Sequence, residues 1–337
     1  MTSGPSVRFL VPEGVDDPRR VSGGNVYDRH IRDGLPARGW TVEALEVADA
    51  GGAASALRGA PDDALVLVDG LAAGWVPAVL EEEASRLRLV VLAHMVVAEF
   101  PDATDAAVDA ERRALAAARA VIVTSRWTAG ELARRGLTDP SLITVAVPGV
   151  QPVPAGAPGS DKDLLCVGVL APHKGQDILL DALARLRTPD WTCAIVGSSE
   201  PFPGFAADIA ERAAAFDGRV QLTGVLDEDG LAAAYGRSAL LVAPSRVESW
   251  GMAIADARAR AIPVVGSEAG GIPDALAGGG GVLVRPDDPA ALADALEAWM
   301  SDPALRARLR REAVTARASL PTWSDTVAHV ARALEAA

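Results

Sequence analysis

The sequence predicts an α/β protein of two domains, each built on a parallel β-sheet. Short apolar strands alternate with helical patterns along the chain, which is typical of βαβ units. The chain has 337 residues, more than one hydrophobic core usually holds, and 50% of them are hydrophobic, so each half can bury a core. The segment Val150–Ser160 is rich in proline and glycine and has no charged residue, which predicts a linker between the halves.

The strands are predicted from apolar runs that end at turn residues. In the first half they are Val7–Val11, Thr41–Leu45, Ala64–Val68, Leu89–Leu92, Ala120–Thr124 and Ile143–Val147. In the second half they are Asp163–Gly168, Thr192–Val196, Arg219–Leu222, Ala239–Ala243 and Ile262–Gly266. Beyond Asp287 we expect helix to the end, and Thr322–Leu334 has the apolar spacing of an amphipathic helix.

Composition excludes several classes of partner. A net charge of −13 and a pI near 4.8 argue against binding to nucleic acid or to an anionic membrane surface. The two cysteines, Cys166 and Cys193, lie inside apolar runs and are predicted to be buried strand residues in a reducing compartment. The N-terminus has no basic leader, and the apolar run Ala64–Leu80 is interrupted by polar and turn residues, so we expect a cytoplasmic protein without a transmembrane segment.

The segment Ala239–Asp274 predicts a site for a nucleotide diphosphate. It has the pattern strand, loop, helix (Trp250 to Ala261) and strand, and the amides from Ser249 to Met252 are expected to begin the helix without intrahelical partners, where phosphate binds well. Glu248 lies at the mouth of the loop, and Asp256 is expected about two turns into the helix. Carboxylates at these places suit the hydroxyl groups of a sugar and a ribose better than phosphate.

In this segment the chain resembles the retaining glycosyltransferases of the GT-B fold, family 4 type (glycosyl transferases group 1). Their signature is a Glu, seven residues and a second Glu, within ES-aromatic-G…EA…G-P-V-V…GG-x-P-E. The second and last acids of the signature are Asp here. The corresponding residues are Glu248-Ser249-Trp250-Gly251, Asp256-Ala257, Ile262-Pro263-Val264-Val265 and Gly270-Gly271-Ile272-Pro273-Asp274.

The resemblance implies two Rossmann-like domains with parallel sheets facing across a cleft, and a last helix that crosses back onto the first domain. The expected boundaries are residues 1–155 for the acceptor-binding domain, 160–318 for the nucleotide-sugar-binding domain and 319–337 for the returning helix. In the family, the amides after the first Glu contact the diphosphate, the first Glu the donor sugar and the second acid the ribose. These roles fall here on Ser249, Trp250, Gly251 and Met252, on Glu248, and on Asp256.

A second motif lies at Cys166–Leu183, where the family commonly reads G-R-L-x-x-x-K-G and both cations embrace the diphosphate. Lys174-Gly175 matches, and Lys174 is one of only two lysines among the 32 Lys and Arg residues of the chain. Val169 stands at the arginine position, so one cation is missing. Arg246 and His173 are the nearest replacements in sequence, and a solvent-facing role for Arg246 remains equally open.

In the first half, the loop Ser22–Asn25 precedes a helix predicted from about Val26 to Ala37, and its glycines allow backbone to approach a ligand closely. By resemblance, Gly23 and Gly24 are candidates for the donor phosphate. His94 follows a strand, where α/β sheets gather ligands, and resembles the family histidine that reaches the donor sugar. Candidates for the acceptor side are Asn25, Tyr27 and Ser125. A turn, packing or capping role is the alternative for each residue.

No metal site and no cofactor are expected. The acids Asp227–Asp229 fit the first turn of a helix better than a cation site, and no Cys/His cluster has zinc spacing. The residues expected to act in catalysis are His94, Lys174 and Glu248.

The predicted activity is metal-independent transfer of a sugar from a nucleotide-diphosphate donor to a hydroxyl of a small-molecule, glycan or lipid acceptor, with retention of configuration by resemblance. Two alternatives remain, a nucleotide-sugar epimerase on the same fold and a non-catalytic donor-binding partner subunit.

Overall fold

The computed structural model describes residues 4–154 and 160–337, which form two compact units. One unit comprises the chain up to Gly149 together with Pro321–Ala337, and the other comprises Val150–Leu320. Residues 155–159 of the predicted linker Val150–Ser160 lie outside the described residues.

The first unit is built on a six-stranded parallel sheet in the order β2-β1-β3-β4-β5-β6. Helices cover both faces of such a sheet, so its central strands are apolar, and all five residues of the third strand are buried. All six strands agree with the predicted ones. They are β1 Ser6–Pro12, β2 Thr41–Val47, β3 Leu65–Asp69, β4 Arg88–Ala93, β5 Ala120–Val123 and β6 Ile143–Val145.

The helices of this unit begin at polar residues that cap them. Ser22, Asp69 and Ser125 each follow a strand or its loop and accept a backbone N–H of the helix that starts there. The helices are α1 Gly23–Gly34, α2 Ala50–Arg58, α3 Gly70–Trp75, α4 Pro77–Glu83, α5 Asp105–Ala117 and α6 Arg126–Arg134.

The second unit has a six-stranded parallel sheet in the order β12-β11-β10-β7-β8-β9. Its strands are β7 Asp163–Val167, β8 Thr192–Val196, β9 Val220–Gly224, β10 Leu240–Ala243, β11 Val264–Ser267 and β12 Gly281–Val284. The first five were predicted, whereas β12 was missed because it is a short edge strand that follows three glycines and leaves Leu283 exposed. The strand order reverses between β7 and β10, and ligands of open α/β sheets bind at such a point.

The helices of the second unit pack on both faces of this sheet. Asp227 caps the third of them by accepting the N–H of Gly230, which confirms the helix-start interpretation of the three acids. Cys166 and Cys193 are buried free thiols in β7 and β8, as predicted, and burial raises the pKa of Cys166 to about 12. The helices are α7 Gln176–Leu183, α8 Pro203–Ala214, α9 Glu228–Arg237, α10 Met252–Ala259, α11 Ile272–Ala275, α12 Pro289–Ser301 and α13 Pro303–Arg317.

The last helix, α14 Trp323–Ala336, belongs to the first unit, which confirms that the chain returns there. Thr322 and Asp325 form a capping box at its start. Its apolar side chains are buried in the same core as Tyr27 and those of β1 and α1, and His30 stacks on Trp323 with ring centroids 3.9 Å apart. Within the described residues, no helix combines the length and the apolar content needed to cross a bilayer.

Candidate functional site

Two loops meet where β7 and β10 end side by side. The first runs through a 3-10 turn, Pro172–Lys174, into α7, and Gly175 joins them with φ +71°. A Cβ on Gly175 would lie 2.1 Å from the carbonyl oxygen of Pro244 in the second loop. Glycine is therefore required at this position both by the left-handed backbone and by the close approach of the other loop.

Lys174 and Glu248 are brought together by these loops. The lysine Nζ donates to Glu248 Oε2 at 2.6 Å, and the two side chains are only 24% and 17% exposed. Both residues and Gly251 line a small cavity of about 20 Å³ at the carboxyl ends of β7 and β10. A phosphate that bound here would compete with the Glu248 carboxylate for Lys174 Nζ. The two residues were predicted to contact different parts of one ligand, and in the structure they contact each other.

The backbone of Glu248 is also held by two consecutive glycines, Gly270 and Gly271. Gly270 has φ +56°, and a Cβ on it would lie 1.9 Å from the carbonyl oxygen of Glu248. Gly271 donates its N–H to that same oxygen at 2.8 Å. The Gly-Gly of the motif therefore fixes the backbone of the glutamate loop, which gives a physical reason for finding both in one signature.

The helix after this loop begins later than predicted. Gly251, with φ +93°, is the residue before the helix, and Met252 is its first residue. The left-handed glycine ends the loop, so Ser249 and Trp250 lie in the loop instead of the first turn. For the same reason Asp256 lies about one turn into α10 and not two.

Asp256 is half-buried and does not line the cavity. Burial raises the pKa of its carboxyl to about 6, while the charge of Arg260, 4.0 Å away, acts in the opposite direction. A carboxyl in this environment is partly desolvated and can accept hydrogen bonds from ligand hydroxyls.

Arg246 is engaged by protein groups, which argues against its predicted role as a phosphate ligand. Its guanidinium binds both oxygens of Asp177 at 2.8 and 2.7 Å and Asp287 at 2.6 Å, and it also donates to the carbonyl of Pro172 at 2.6 Å. Its backbone N–H donates to His173 O at 2.8 Å. Arg246 is not free to bind a phosphate because the carboxylates of Asp177 and Asp287 hold its guanidinium group against the 3-10 turn.

At the position of the missing arginine, Val169 contributes its backbone to the loop. Its carbonyl accepts the side-chain amide of the buried Gln176 at 2.9 Å, and Gln176 Oε1 accepts the N–H of Ala171. This glutamine ties the start of α7 to the strand end and was not predicted.

In the first unit, His94 lies in a buried cluster at the ends of β3 and β4. Its Nε2 lies 2.9 Å from Asp28 Oδ1 on α1 and 3.2 Å from Asp69 Oδ2. The Gly24 backbone covers one edge of the ring, since a Cβ there would lie 3.5 Å from Cδ2. The predicted residues Gly24 and His94 are therefore neighbours.

Three residues predicted for the acceptor side have structural partners. Tyr27 is 1% exposed and its hydroxyl donates to Ala146 O, so it belongs to the core, which corrects the prediction of a ligand contact. Ser125 is fully buried and caps α6, which corrects the prediction for it in the same way. Asn25 donates its side-chain amide to Arg20 O and thereby shapes the glycine loop.

Asp28 and Asp69 were not predicted as site residues. Asp69 ends a wholly buried strand, and Asp28 lies three residues before Ile31 on the buried face of α1. A charged residue at a position where an apolar one is expected is the sequence feature that could have identified them as site residues. Nothing in their spacing from His94 indicates that the three residues meet.

The same three side chains offer ligand atoms within 4.8 Å of one another, the arrangement among the described residues that could hold a metal ion. Nε2 forms a hydrogen bond with Asp28 Oδ1 at 2.9 Å and a charge contact with Asp69 Oδ2 at 3.2 Å. In the structure these contacts make the group a hydrogen-bonded cluster.

Comparison with known proteins relates the chain to one family. Residues 161–302 match the family Glycosyl transferases group 1. Over 244 residues the chain is 32% identical to a D-inositol 3-phosphate glycosyltransferase of Frankia alni, covering 66% of this chain and 60% of that protein. A relative of the same description from Corynebacterium glutamicum is 31% identical over 57% of this chain and 51% of its own length. The chain thus spans little more than half the length of these curated relatives.

Solved structures share the fold over nearly the whole chain. A sucrose-phosphate synthase from Thermosynechococcus elongatus superimposes with a TM-score of 0.83 over 98% of both chains at 20% identity. Anabaena HepE in complex with UDP and glucose superimposes with a TM-score of 0.77 over 99% of this chain and 100% of its own, at 19% identity. At these identities the likeness establishes the architecture, which is the predicted one.

Proposed function

The chain contains a Glycosyl transferases group 1 domain within a GT-B fold, and from this premise we propose that it transfers a sugar from a nucleotide-diphosphate donor to an acceptor hydroxyl. The observation that carries the proposal is the Lys174–Glu248 pair in a cavity at the reversal of strand order. A cation for phosphate and a carboxylate for sugar hydroxyls lie side by side where a nucleotide sugar would bring both groups.

In the proposed reaction the bond between the anomeric carbon and the diphosphate oxygen breaks, and the acceptor oxygen forms the new bond to the same carbon. The departing diphosphate gains charge, which Lys174 and the amides from Ser249 to Met252 stabilise electrostatically. The acceptor proton passes to an oxygen of the leaving phosphate, and the anomeric configuration is retained. No metal ion takes part, since these groups supply the charge stabilisation.

The other residues have binding roles in this proposal. Asp256 accepts hydrogen bonds from the ribose, and Glu248 accepts them from the donor sugar. Gly23 and Gly24 place backbone amides near the donor phosphate, and His94 contacts the donor sugar. The acceptor is a small molecule, a glycan or a lipid headgroup with a free hydroxyl.

A screen by thermal shift and product analysis tests the proposal. UDP, GDP and ADP and their sugars are compared, because a ligand at a hundred times its dissociation constant stabilises a protein by roughly 2.7 kcal/mol. Donors that bind are then incubated with acceptor mixtures, and the anomeric linkage of any product is determined by NMR. We expect one nucleotide family to stabilise the protein and its sugar to be transferred with retention.

Two controls separate the proposal from other activities. Incubation with donor alone detects an epimeric nucleotide sugar, which would indicate an isomerase. A donor that binds tightly but is consumed with none of the acceptors would indicate a non-catalytic subunit and would contradict transferase activity.

A further inference from the structure

The cluster around His94 contains two buried carboxylates, and the proposed function assigns no role to either of them. Asp28 is 1% exposed on α1 and Asp69 is 4% exposed at the end of β3, and both address the same ring nitrogen. Two acids buried beside one imidazole are costly unless each is hydrogen-bonded and compensated by charge.

Both carboxylates are held in place by the fold. Asp69 Oδ1 accepts the N–H groups of Leu71 and Ala72 at the start of α3, which turns Oδ2 toward the ring. Asp28 projects from the buried face of α1, one residue after Tyr27, whose ring packs edge-on against His94 at 5.3 Å between centroids. The His94 carbonyl accepts a hydrogen bond from Thr124 Oγ1 at 3.3 Å, so the backbone is fixed as well.

Burial raises the pKa of Asp28, while the charge of His94 and its hydrogen bond act in the opposite direction. An ionised carboxylate only accepts hydrogen bonds, so beside the ionised acids Nε2 carries the proton. One Nε2 proton shared by two carboxylates leaves a net charge of −2 in the cluster unless Nδ1 is protonated too. Burial alone would lower the pKa of His94, but the charges of Asp28 and Asp69 and their hydrogen bonds to the ring outweigh it and raise the pKa to about 10. Asp28, Asp69 and Tyr27 are the ionisable groups that face the ring.

The hydrogen bonds of the described residues use Nε2 and leave Nδ1 for a ligand or solvent. Gly24 lies close to the ring, since a Cβ on it would be 3.5 Å from Cδ2, and the side chain of His94 keeps 13% of its surface exposed. With Nε2 engaged by the carboxylates, Nδ1 is the ring nitrogen that remains for a ligand.

We propose that Asp28 and Asp69 are positioning residues that hold His94 as a hydrogen-bond donor at both ring nitrogens, so that Nδ1–H is presented to an oxygen atom of the bound ligand. His94 then stabilises negative charge or orients a hydroxyl, and it does not accept a proton from the acceptor. The inference rests on the proposed function for the identity of the ligand as a sugar nucleotide or its acceptor.

Nitrogen NMR of the protein labelled at histidine tests the donor state near neutral pH, without any need for activity. In the wild-type protein we expect both nitrogens of His94 to be protonated, and in Asp28→Asn we expect only one. Asp33→Asn is the matched control, since Asp33 lies on the same helix but is exposed and paired with Arg32. A neutral wild-type ring would overturn the proposal, as would His94 signals that shift on titration with zinc or manganese.

Steady-state kinetics of His94 variants are the second test of the proposal. The side-chain amide of Asn can place an N–H near the position of Nδ1–H, so His94→Asn should keep kcat/KM within about tenfold of wild type while His94→Ala loses about a hundredfold. Equal inactivity of the two variants would contradict the proposed role of Nδ1–H as a hydrogen-bond donor. If no transfer is found with any donor, the proposed function fails while the NMR result still decides the state of the ring.

Discussion

Replacement of Arg246 by alanine is expected to loosen the loop that carries Lys174. Its guanidinium makes a two-pronged pair with Asp177, whose side chain is 24% exposed, and single bonds to Asp287 and to Pro172 O. Burial tends to raise the pKa of Asp177, but the hydrogen bonds and the charge of Arg246 help to hold it below its usual value.

The magnitude follows from these contacts. Charged hydrogen bonds of a partly buried pair contribute about 1.5–3 kcal/mol, and the exposed pair with Asp287 adds less than about 1 kcal/mol. We therefore expect Arg246→Ala to destabilise the protein by about 2–3 kcal/mol, a shift in Tm of about 4–12 °C for the second unit. Because Lys174 lies at the end of the clamped turn, kcat/KM should fall by about tenfold.

Calorimetry and steady-state kinetics on Arg246→Ala, Asp177→Ala and the double variant separate positioning from direct contact. If Arg246 positions the loop, both single variants lose donor affinity and the double variant is no worse than either. If Arg246 binds phosphate, Asp177→Ala should free it and keep or tighten donor binding, and Val169→Arg should restore Arg246→Ala. Either outcome would refute the clamp. Arg285→Ala, at an exposed arginine whose ion pair is 3.9 Å long, is the control and should leave Tm unchanged.

Four further outcomes are expected. Lys174→Ala should lower kcat/KM by two or more orders of magnitude, about 3 kcal/mol of transition-state stabilisation, in steady-state assays. Asp256→Asn should weaken free nucleotide and full donor alike, whereas Glu248→Gln should weaken only the donor, as measured by titration calorimetry. Transfer should survive EDTA. Burial raises the pKa of Glu111 to about 7 from 4.5, so ionisation costs native stability as pH rises through that window, and Glu111→Gln should gain about 1–3 kcal/mol relative to wild type on going from pH 4 to pH 8 in denaturant titrations.

Much of the architecture could be predicted from local pattern. Eleven of the twelve strands follow from sequence runs between turn residues, and central strands such as β3 and β4 are apolar because both faces of a parallel sheet are buried. The edge strand β12 has only four residues, begins with glycine and leaves Leu283 exposed. The early start assigned to α10 arose from apolar spacing that continues through Trp250, whereas the left-handed Gly251 decides where the helix begins.

The motif residues of the second unit were predictable by type, but their partners were not. Lys174 and Glu248 were assigned to different parts of one ligand, and the structure pairs them at 2.6 Å. Gly175 and Gly270 were known only as letters of a signature. Their requirement for glycine comes from carbonyl oxygens of Pro244 and Glu248, which other loops place against them.

Two predictions in the first unit met a structural role instead of a ligand contact. Ser125 follows the end of β5 and caps α6, and Tyr27, in the second turn of α1 after the glycine loop, anchors the core. The period of α1 already put Tyr27 on the face of Ile31, which favours the core.

What sequence spacing cannot encode is which strand ends become neighbours. The strand order sets β10 beside β7, so that Lys174 and Glu248 in the loops that follow meet although they are 74 residues apart in sequence. It also sets β3 beside β4, where Asp69 meets His94. In both units the candidate site residues are thus brought together by the strand order of the sheet. In the sequence, each of these residues by itself resembles a helix cap or a surface charge. A charged residue on the apolar face of a helix that follows a strand, as Asp28 is, is therefore the feature to test first when such a sheet is predicted from sequence.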